Sequence, residues 1–263
     1  EPLPWSADHY LATGVTLPPD GYDTLRSFDA ILIGALGDPR VPDNRHARDI
    51  LLGTRFELDL YVNYRPVRLL DDRLSPLKNR TRRDIDFVVF RENTEGVYAG
   101  VGGRFKPGTP DEVSVQEEIN TYKGVHRIQR HAFEFARAKG LRKVCMADKS
   151  NAMPQGHALW QRVFADLKAE FTDIEASHMY IDALAMFLVQ NPAQFEVIVT
   201  NNLFGDIITD IGGALQGGLG MAASGNLHPG RTSMFEPVHG SAPPLAGKNV
   251  ANPIGAILSA AMM

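Results

Sequence analysis

The sequence predicts an α/β fold with a substantially parallel sheet. Apolar runs of strand length alternate along the chain with longer segments whose apolar residues recur at helical spacing. A polar motif follows each of four strand-like runs, where a parallel strand would end. The composition, 44% hydrophobic and 22% charged over 263 residues, is typical of a folded chain large enough for two domains.

Four apolar runs have the character of strands, and longer segments with helical spacing lie between them. The predicted strands are at 29–33, 86–90, 143–147 and 196–200. The predicted helices are at 46–59, 124–138, 157–171 and 183–189. Parallel strands need long crossover connections, which are usually helical, so this alternation indicates a largely parallel sheet.

The segment 97–123 departs from this alternation. It contains several glycines and a proline, and then alternates between apolar and polar residues over 112–117. This pattern predicts an extended arm or β-hairpin. A two-stranded arm is marginal by itself, and pairing with a second subunit would cover its edge.

Charge, hydropathy and cysteine content exclude several classes of protein. A net charge of −4 gives no general cationic field for nucleic acid. No apolar run approaches the ~20 residues of a membrane span, and no signal peptide is visible. The single cysteine, Cys145, lies in the apolar run KVCMA, which predicts a buried, inert thiol. These features fit a cytoplasmic protein.

Polar motifs occupy the four predicted strand exits, where ligands bind in open α/β sheets. They are GALGDP at 34–39, RENTEG at 91–96, DKSN at 148–151 and NNLFGD at 201–206. Arginines Arg55, Arg65 and Arg91 offer planar guanidinium groups that suit carboxylates. The alternative for each is a surface salt bridge, which fits Arg91 least because it directly follows the buried-looking run DFVVF.

Tyr98 and Lys149 are the candidate proton-transfer pair. A lysine near a tyrosine in a polar cleft can move a proton to or from a hydroxyl group. Both have a reference pKa of about 10, so catalysis near neutrality would need burial or nearby charge. The residues alone favour the alternative of a packed tyrosine and a solvated lysine.

Three aspartates are candidate ligands for a divalent cation. Asp206 and Asp210 are four residues apart at a predicted helix start, and Asp182 begins another helix. Like charges at this spacing repel. The alternatives are two first-turn acids stabilised by the helix dipole, or hard oxygen ligands for Mg²⁺ or Mn²⁺.

A glycine-containing turn, FEPVHGSAP at 235–243, is a weak candidate for nucleotide binding. Its Gly-Ser-Ala turn would let backbone N–H groups approach a phosphate closely. It is neither a dinucleotide-binding GxGxxG fingerprint nor a Walker motif.

Together these motifs resemble those of the β-decarboxylating dehydrogenases, the family of isopropylmalate, isocitrate, homoisocitrate and tartrate dehydrogenases. The matching stretches are DLYVNYRPVRLL, FVVFRENTEGVYAG, ADKSNAM, YIDALAM, NNLFGDIITDIGGALQGGLGMAASGN and FEPVHGSAPPLAGKNVANP. The resemblance implies a two-domain fold with a mixed, largely parallel sheet and a dimerising β-arm. The larger, cofactor-binding domain would be 1–61 with 217–263, and the smaller would be 62–216, with the arm at 97–123.

The resemblance also implies a role for each candidate residue. Asp206, Asp210 and Asp182 would bind Mg²⁺ or Mn²⁺, with Asp182 and Lys149 reaching across a homodimer. The 2-hydroxy-acid substrate would be held by Arg55, Arg65, Arg91, Leu51, Leu52, Asp182 and Asp206. Lys149 would help deprotonate the hydroxyl while NAD takes the hydride, and Tyr98 would help protonate the enol after CO₂ leaves. Cofactor contacts would come from Glu236, His239, Gly240, Ser241, Ala242 and Asn252.

Leu51 and Leu52 bear on the choice of substrate. In the family these positions face the substrate's γ-substituent, and isocitrate enzymes have polar residues there. Two leucines would bury an isopropyl group at roughly 0.8 kcal/mol per CH₂, which favours isopropylmalate and a role in leucine biosynthesis. Tartrate, D-malate and homoisocitrate are alternative substrates.

Two features depart from the family pattern. The family's GDGIGPE-like opening and its C-terminal helices are absent, and the chain begins at Glu1 and ends within an apolar segment, so a piece of a longer protein is expected. Pro244 stands where NAD-dependent members usually have an aspartate for the adenosine ribose. NAD remains the expected cofactor. A non-catalytic subunit or interaction module is the alternative from another class.

Overall fold

The computed structural model describes residues 1–263. It contains ten strands, of which eight form one mixed sheet and two, the fourth and fifth along the chain, form a separate pair. The strands are β1 Ala30–Leu32, β2 Val62–Arg68, β3 Asp86–Glu92, β4 Gly102–Phe105, β5 Val113–Gln116, β6 Lys143–Asp148, β7 Glu175–Tyr180, β8 Val197–Thr200, β9 Ala223–Leu227 and β10 Ser233–Pro237. The α-helices are α1 Ala7–Thr13, α2 Gly21–Arg26, α3 Arg45–Ala47, α4 Gly53–Glu57, α5 Tyr122–Ala138, α6 Pro154–Glu170, α7 Ile181–Gln190, α8 Asn202–Leu215 and α9 Ile254–Met262.

The strand order across the large sheet is β1-β10-β9-β2-β3-β8-β6-β7. The neighbours β3, β8, β6 and β7 are parallel to one another, as are β1 and β10. Within this sheet, antiparallel pairing is confined to β10–β9, β9–β2 and β2–β3. The predicted α/β class with a mixed, largely parallel sheet is therefore confirmed.

Helices cover both faces of the parallel half of the sheet. Alternate strand residues point to opposite faces, so Val88 and Phe90 pack with α5 and α6, whereas Phe87 and Val89 pack with α7 and α8. Cys145 lies in the second of these clusters, where burial raises the pKa of its thiol to about 11. The prediction that this cysteine is buried is confirmed. No helix is both long and apolar enough to span a membrane.

All four predicted strands are present, but four further strands of the large sheet were missed. β2 contains Pro66, which usually argues against a strand inside a sheet. β9, with the sequence ASGNL, lacks the β-branched and aromatic residues typical of strands. The two strands nevertheless pair antiparallel, and a buried amide contact adds to this pairing, because Asn63 Nδ2 donates to Asn226 Oδ1 at 3.0 Å. The division of the chain into two domains stays a prediction.

The predicted helix at 46–59 is three successive pieces rather than one. A π-helical turn, Arg48–Leu52, separates α3 from α4. The Tyr22 hydroxyl donates to the Asp49 carbonyl at 2.9 Å, and it fills the space that a Cβ atom at Gly53 would need. Single π-helical turns are frequent at functional sites. This one carries Leu51 and Leu52.

The predicted arm forms a hairpin. Strands β4 and β5 pair only with each other, and every residue in them is exposed. Phe105, Val113 and Val115 are 64%, 50% and 47% exposed, which is unusual for apolar side chains in a strand.

His131 on α5 predicts a pH dependence of stability. Its ring packs edge-to-face on Phe90, with centroids 5.0 Å apart, and burial lowers its pKa to about 4. The unfolded chain, with a histidine pKa of ~6.5, binds the proton more readily in this range. The free energy of unfolding should therefore fall by about 2 kcal/mol from pH 7 to pH 4.5 through this group. Urea denaturation at both pH values measures this, and His131→Phe should remove that part of the loss; an unchanged pH dependence in His131→Phe would contradict it.

Candidate active site

A cavity of about 240 Å³ gathers most of the predicted substrate residues. Its lining combines the π-helical turn before α4, the strands β2 and β3, the second turn of α8, and the end of β10 with the loop after it. The predicted residues that line it are Leu51, Leu52, Arg55, Arg65, Arg91, Tyr98, Asp206, Glu236, His239 and Gly240. Residues 34–36 of the GALGDP motif line it as well.

Three buried guanidinium groups dominate the cavity. Arg55, Arg65 and Arg91 are only 5%, 6% and 1% exposed, so the alternative of surface salt bridges is wrong. Arg55 pairs with Glu236 at 2.7 Å, and Arg65 and Arg91 both approach Asp206 Oδ1, at 3.4 and 2.5 Å. The three guanidinium groups thus pair directly with two carboxylates, and Asp210, one turn further along α8, is the third acid nearby.

Burial makes these cations costly unless an anion joins them. Burial, and then the charge of Arg65, lowers the pKa of Arg91 to about 9. Burial likewise lowers the pKa of Arg65. The Nε atoms of Arg55 and Arg65 are buried without a hydrogen-bond partner. A carboxylate bound in the cavity would add a hydrogen-bonding anion beside these arginines.

Two residues on α8 orient the arginines, and neither was predicted from the sequence. Asn202 Oδ1 accepts from Arg91 Nη2 at 2.6 Å and from Arg91 Nε at 2.9 Å. Thr209 Oγ1 accepts from Arg65 Nη1 at 2.5 Å. Both residues lie within four positions of Asp206, so helical spacing around that aspartate was the signal that could have found them.

Tyr98 lies in a short 3₁₀ turn after β3 and points into the cavity. Its hydroxyl donates to Asp206 Oδ2 at 2.8 Å, and the Arg91 guanidinium lies 5.1 Å from its ring centre. Burial and the hydrogen bond to Asp206 raise the pKa of Tyr98. Tyr98 therefore keeps its proton near neutral pH and can donate it.

Asp206 and Asp210 lie in the second and third turns of α8. The first turn contains no acid, and its cap is Asn201, so the interpretation as first-turn acids stabilised by the helix dipole is wrong. Burial alone would raise the pKa of Asp206, but Arg91 and Arg65 hold it below its usual range. Burial and the charge of Asp206 raise the pKa of Asp210. A cation beside both carboxylates would reduce this repulsion.

Lys149 and Asp182 lie apart from the cavity and pair with each other. Lys149 Nζ donates to Asp182 Oδ1 at 2.6 Å, and the Asp182 side chain is 67% exposed. This hydrogen bond lowers the pKa of Asp182. Within this chain, no three carboxylate, histidine or cysteine side chains cluster around a common metal position. The predicted triad is thus split between one pair on α8 and one exposed aspartate at the start of α7.

The predicted cofactor residues lie mostly along a second cavity of about 840 Å³. His239, Gly240, Ser241, Ala242 and Asn252 line it, whereas Glu236 lines only the smaller one. Ala35, His239 and Gly240 line both cavities, so the two cavities adjoin at these residues.

Known proteins resemble this chain along nearly its whole length. The sequence profile described as isocitrate/isopropylmalate dehydrogenase matches residues 3–263. The chain is 47% identical to a 3-isopropylmalate dehydrogenase from Thermobifida fusca, over 98% of this chain and 73% of that protein. It is 49% identical to a 3-isopropylmalate dehydrogenase from Mycobacterium avium, over 98% of this chain and 76% of that protein.

Two solved structures share the fold. Isocitrate dehydrogenase from Methylococcus capsulatus superposes with a TM-score of 0.86 at 33% identity, over 98% of this chain and 74% of that one. The TT0538 protein from Thermus thermophilus also gives a TM-score of 0.86, at 38% identity, over 98% of this chain and 50% of that one.

Proposed function

The chain belongs to the isocitrate/isopropylmalate dehydrogenase family, and we propose that it converts 3-isopropylmalate to 4-methyl-2-oxopentanoate and CO₂ in leucine biosynthesis. NAD would be the oxidant and Mg²⁺ or Mn²⁺ the metal. One observation carries the proposal: a single cavity joins three buried guanidinium groups to two leucines. The relatives named 3-isopropylmalate dehydrogenase support the same substrate.

Charge balance supports a dicarboxylate substrate together with a divalent cation. Around the cavity, the arginines are matched in number by Asp206, Asp210 and Glu236. The −2 charge of a dicarboxylate substrate and the +2 charge of the metal ion cancel, so the buried site would gain no net charge when both bind.

The donor set fits a hard divalent cation. Asp206 and Asp210 offer carboxylate oxygens from one face of α8, and Asp182 of the partner subunit would add a third. When bound, the cation would polarise the substrate oxygens and the nicotinamide ring would accept the hydride. The larger cavity, which adjoins the arginine-lined one at His239 and Gly240 and is also lined by Ser241, Ala242 and Asn252, supports a dinucleotide.

This chain's residues would then move the protons. Lys149 of the partner subunit would take the hydroxyl proton as the adjacent C–H bond breaks and its electron pair leaves with the hydride. The arginines would hold the carboxylates through the next step, in which the C–C bond breaks, CO₂ leaves and its bonding pair forms an enolate. Tyr98, which keeps its proton near neutral pH, would protonate that carbon.

Exposed apolar surface supports a homodimer that shares its active sites. Met186 and Val189 on α7 and Ile207 on α8 are 46%, 49% and 54% exposed. Ile207 lies beside Asp206, so a partner helix packed here would come close to the metal pair. The hairpin β4–β5 offers a further contact surface. An interaction module without activity is the alternative, and the intact set of arginines and aspartates argues against it.

Removal of the metal should abolish turnover. EDTA should stop formation of the reduced cofactor, and added Mg²⁺ or Mn²⁺ should restore it. The cation should also raise the melting temperature of the protein without substrate, with about 2.7 kcal/mol of stabilisation at a hundredfold excess over Kd. Asp210→Asn should lose most of this shift. An equal shift in Asp210→Asn, or turnover that survives EDTA, would contradict the metal assignment.

The two leucines should set the preference for an isopropyl group. Leu52→Ala should lower kcat/KM for 3-isopropylmalate about tenfold, because about two CH₂ equivalents of the isopropyl group would lose their apolar partner, at roughly 0.8 kcal/mol each. Its effect on D-malate, which lacks the isopropyl group, should be less than about twofold. Steady-state kinetics with both substrates measure this difference. Equal losses for both substrates would remove Leu52 from substrate selection.

A further inference from the structure

A buried carboxylate just after the β4–β5 hairpin connects Lys149 with α8, the helix that carries Asp206. Glu118 follows β5, and its side chain is only 10% exposed. It lies between His157, in the first turns of α6, and Asn201, which precedes α8. Both neighbours are buried, at 0% and 3% exposure.

The first branch of this connection leads to Lys149. The Lys149 backbone N–H donates to His157 Nδ1 at 2.8 Å. A ring nitrogen that accepts carries no proton, so we assign the imidazole proton to Nε2. That nitrogen lies 3.2 Å from Glu118 Oε2, so His157 donates to Glu118.

The second branch leads to α8. Asn201 Nδ2 donates to Glu118 Oε1 at 2.5 Å. The other end of the same amide, Asn201 Oδ1, accepts from the Phe204 N–H at 2.8 Å and caps the helix. The His157 ring also packs edge-on against Phe204, with centroids 5.6 Å apart. The helix that these contacts fix carries Asp206.

We propose that Glu118 is a positioning residue that holds the backbone of Lys149 in a fixed relation to α8. This inference rests on the proposed function, in which Lys149 and Asp206 of one chain serve the two different sites of a dimer. Glu118 then connects Lys149, which completes the site of the partner subunit, to α8, which carries Asp206 of the chain's own site.

The direction of each hydrogen bond explains why a carboxylate is required. Two donors, His157 Nε2–H and Asn201 Nδ2–H, converge on Glu118, and a carboxylate accepts at both oxygens. Glu118→Gln preserves the shape but turns an NH₂ group towards one of the donors. Reversal of His157 would not help, because its Nδ1–H would then face the Lys149 N–H. The amide therefore leaves one buried donor unsatisfied.

The tautomer of His157 tests the connection without any reference to activity. Long-range ¹H–¹⁵N spectra of the protein, which has eight histidines, should show His157 protonated at Nε2 and not at Nδ1. The His157→Phe variant assigns the signal. Protonation at Nδ1 in the wild-type protein would overturn the proposal, whether or not the protein turns over 3-isopropylmalate.

Kinetics test the positioning role in protein that turns over 3-isopropylmalate. Glu118→Gln should lower kcat about tenfold and leave the substrate KM within about twofold. The expected loss is only part of the ~10²–10⁴-fold that acid–base catalysis supplies, because Lys149 would be displaced and not removed. In a Lys149→Ala background, whose residual turnover is measured at high enzyme concentration, the same change should cost clearly less than tenfold, because the part of the effect that passes through Lys149 is already lost. Glu117→Gln, at the exposed neighbouring residue, is the matched control and should match the wild type. A tenfold loss that persists without Lys149, or a loss in KM alone, would overturn the proposal.

Discussion

Arg91→Lys should lower kcat/KM for 3-isopropylmalate by about two orders of magnitude. Lysine keeps the positive charge but loses the fork that donates to both Asn202 and Asp206. The site would then lose about two charge-assisted hydrogen bonds, and the corresponding ~2.7 kcal/mol is a hundredfold change in rate.

A matched substitution separates this effect from a general loss of arginine. Arg68 lies on the neighbouring strand β2, and its side chain is 69% exposed beside Asp86. Arg68→Lys should change kcat/KM by less than twofold, since exposed ion pairs contribute only about 0–1 kcal/mol. Steady-state kinetics of both variants make the comparison. Similar losses in the two variants would show that the buried cavity is not the substrate site.

Mixing two inactive variants should restore activity if the sites are shared between subunits. Lys149→Ala and Asp206→Ala should each lose nearly all turnover as homodimers. In a mixed dimer, one site would receive both substitutions and the other neither. Random reassociation should therefore return about a quarter of the wild-type activity, because half of the dimers are mixed and each has one intact site. The separation of Lys149 from the cavity within one chain motivates this expectation.

Pairs of substitutions on the same side of the shared site are the control for that experiment. Arg91 and Asp206 line the same cavity of one chain, so in a mixed dimer of Arg91→Ala and Asp206→Ala each site keeps one defect and no activity should return. Lys149→Ala mixed with Asp182→Ala should fail for the same reason. Size-exclusion chromatography and two affinity tags establish that mixed dimers have formed. Mixed dimers of Lys149→Ala and Asp206→Ala without activity would refute the sharing of Lys149 across the dimer.

The sequence predicted site residues best where a residue's chemistry is at odds with the local pattern around it. Arg91 stood out because a charged residue directly followed a run of strand-forming apolar residues, and it is buried at the end of β3. Asp206 and Asp210 stood out because like charges share one face of a helix. These signals are local, so the sequence contains them directly.

The features that were missed depend on distant contacts. The π-helical turn before α4 involves Tyr22, which lies 27 residues before Asp49, the residue whose carbonyl it binds. Glu118 accepts from His157 and Asn201, which are 39 and 83 residues away along the chain. A glutamate after an exposed strand resembles a solvated surface residue until the fold brings those donors to it.

Turnover by the purified chain is the most direct test of the account. Formation of the reduced cofactor would be followed with 3-isopropylmalate, D-malate, tartrate and isocitrate, with NAD or NADP, with Mg²⁺ or Mn²⁺, and with EDTA as control. The account predicts metal-dependent turnover that is fastest with 3-isopropylmalate and NAD, which would make Pro244 a tolerated departure. A well-folded dimer that turns over none of these substrates, or that prefers D-malate or tartrate, would contradict it.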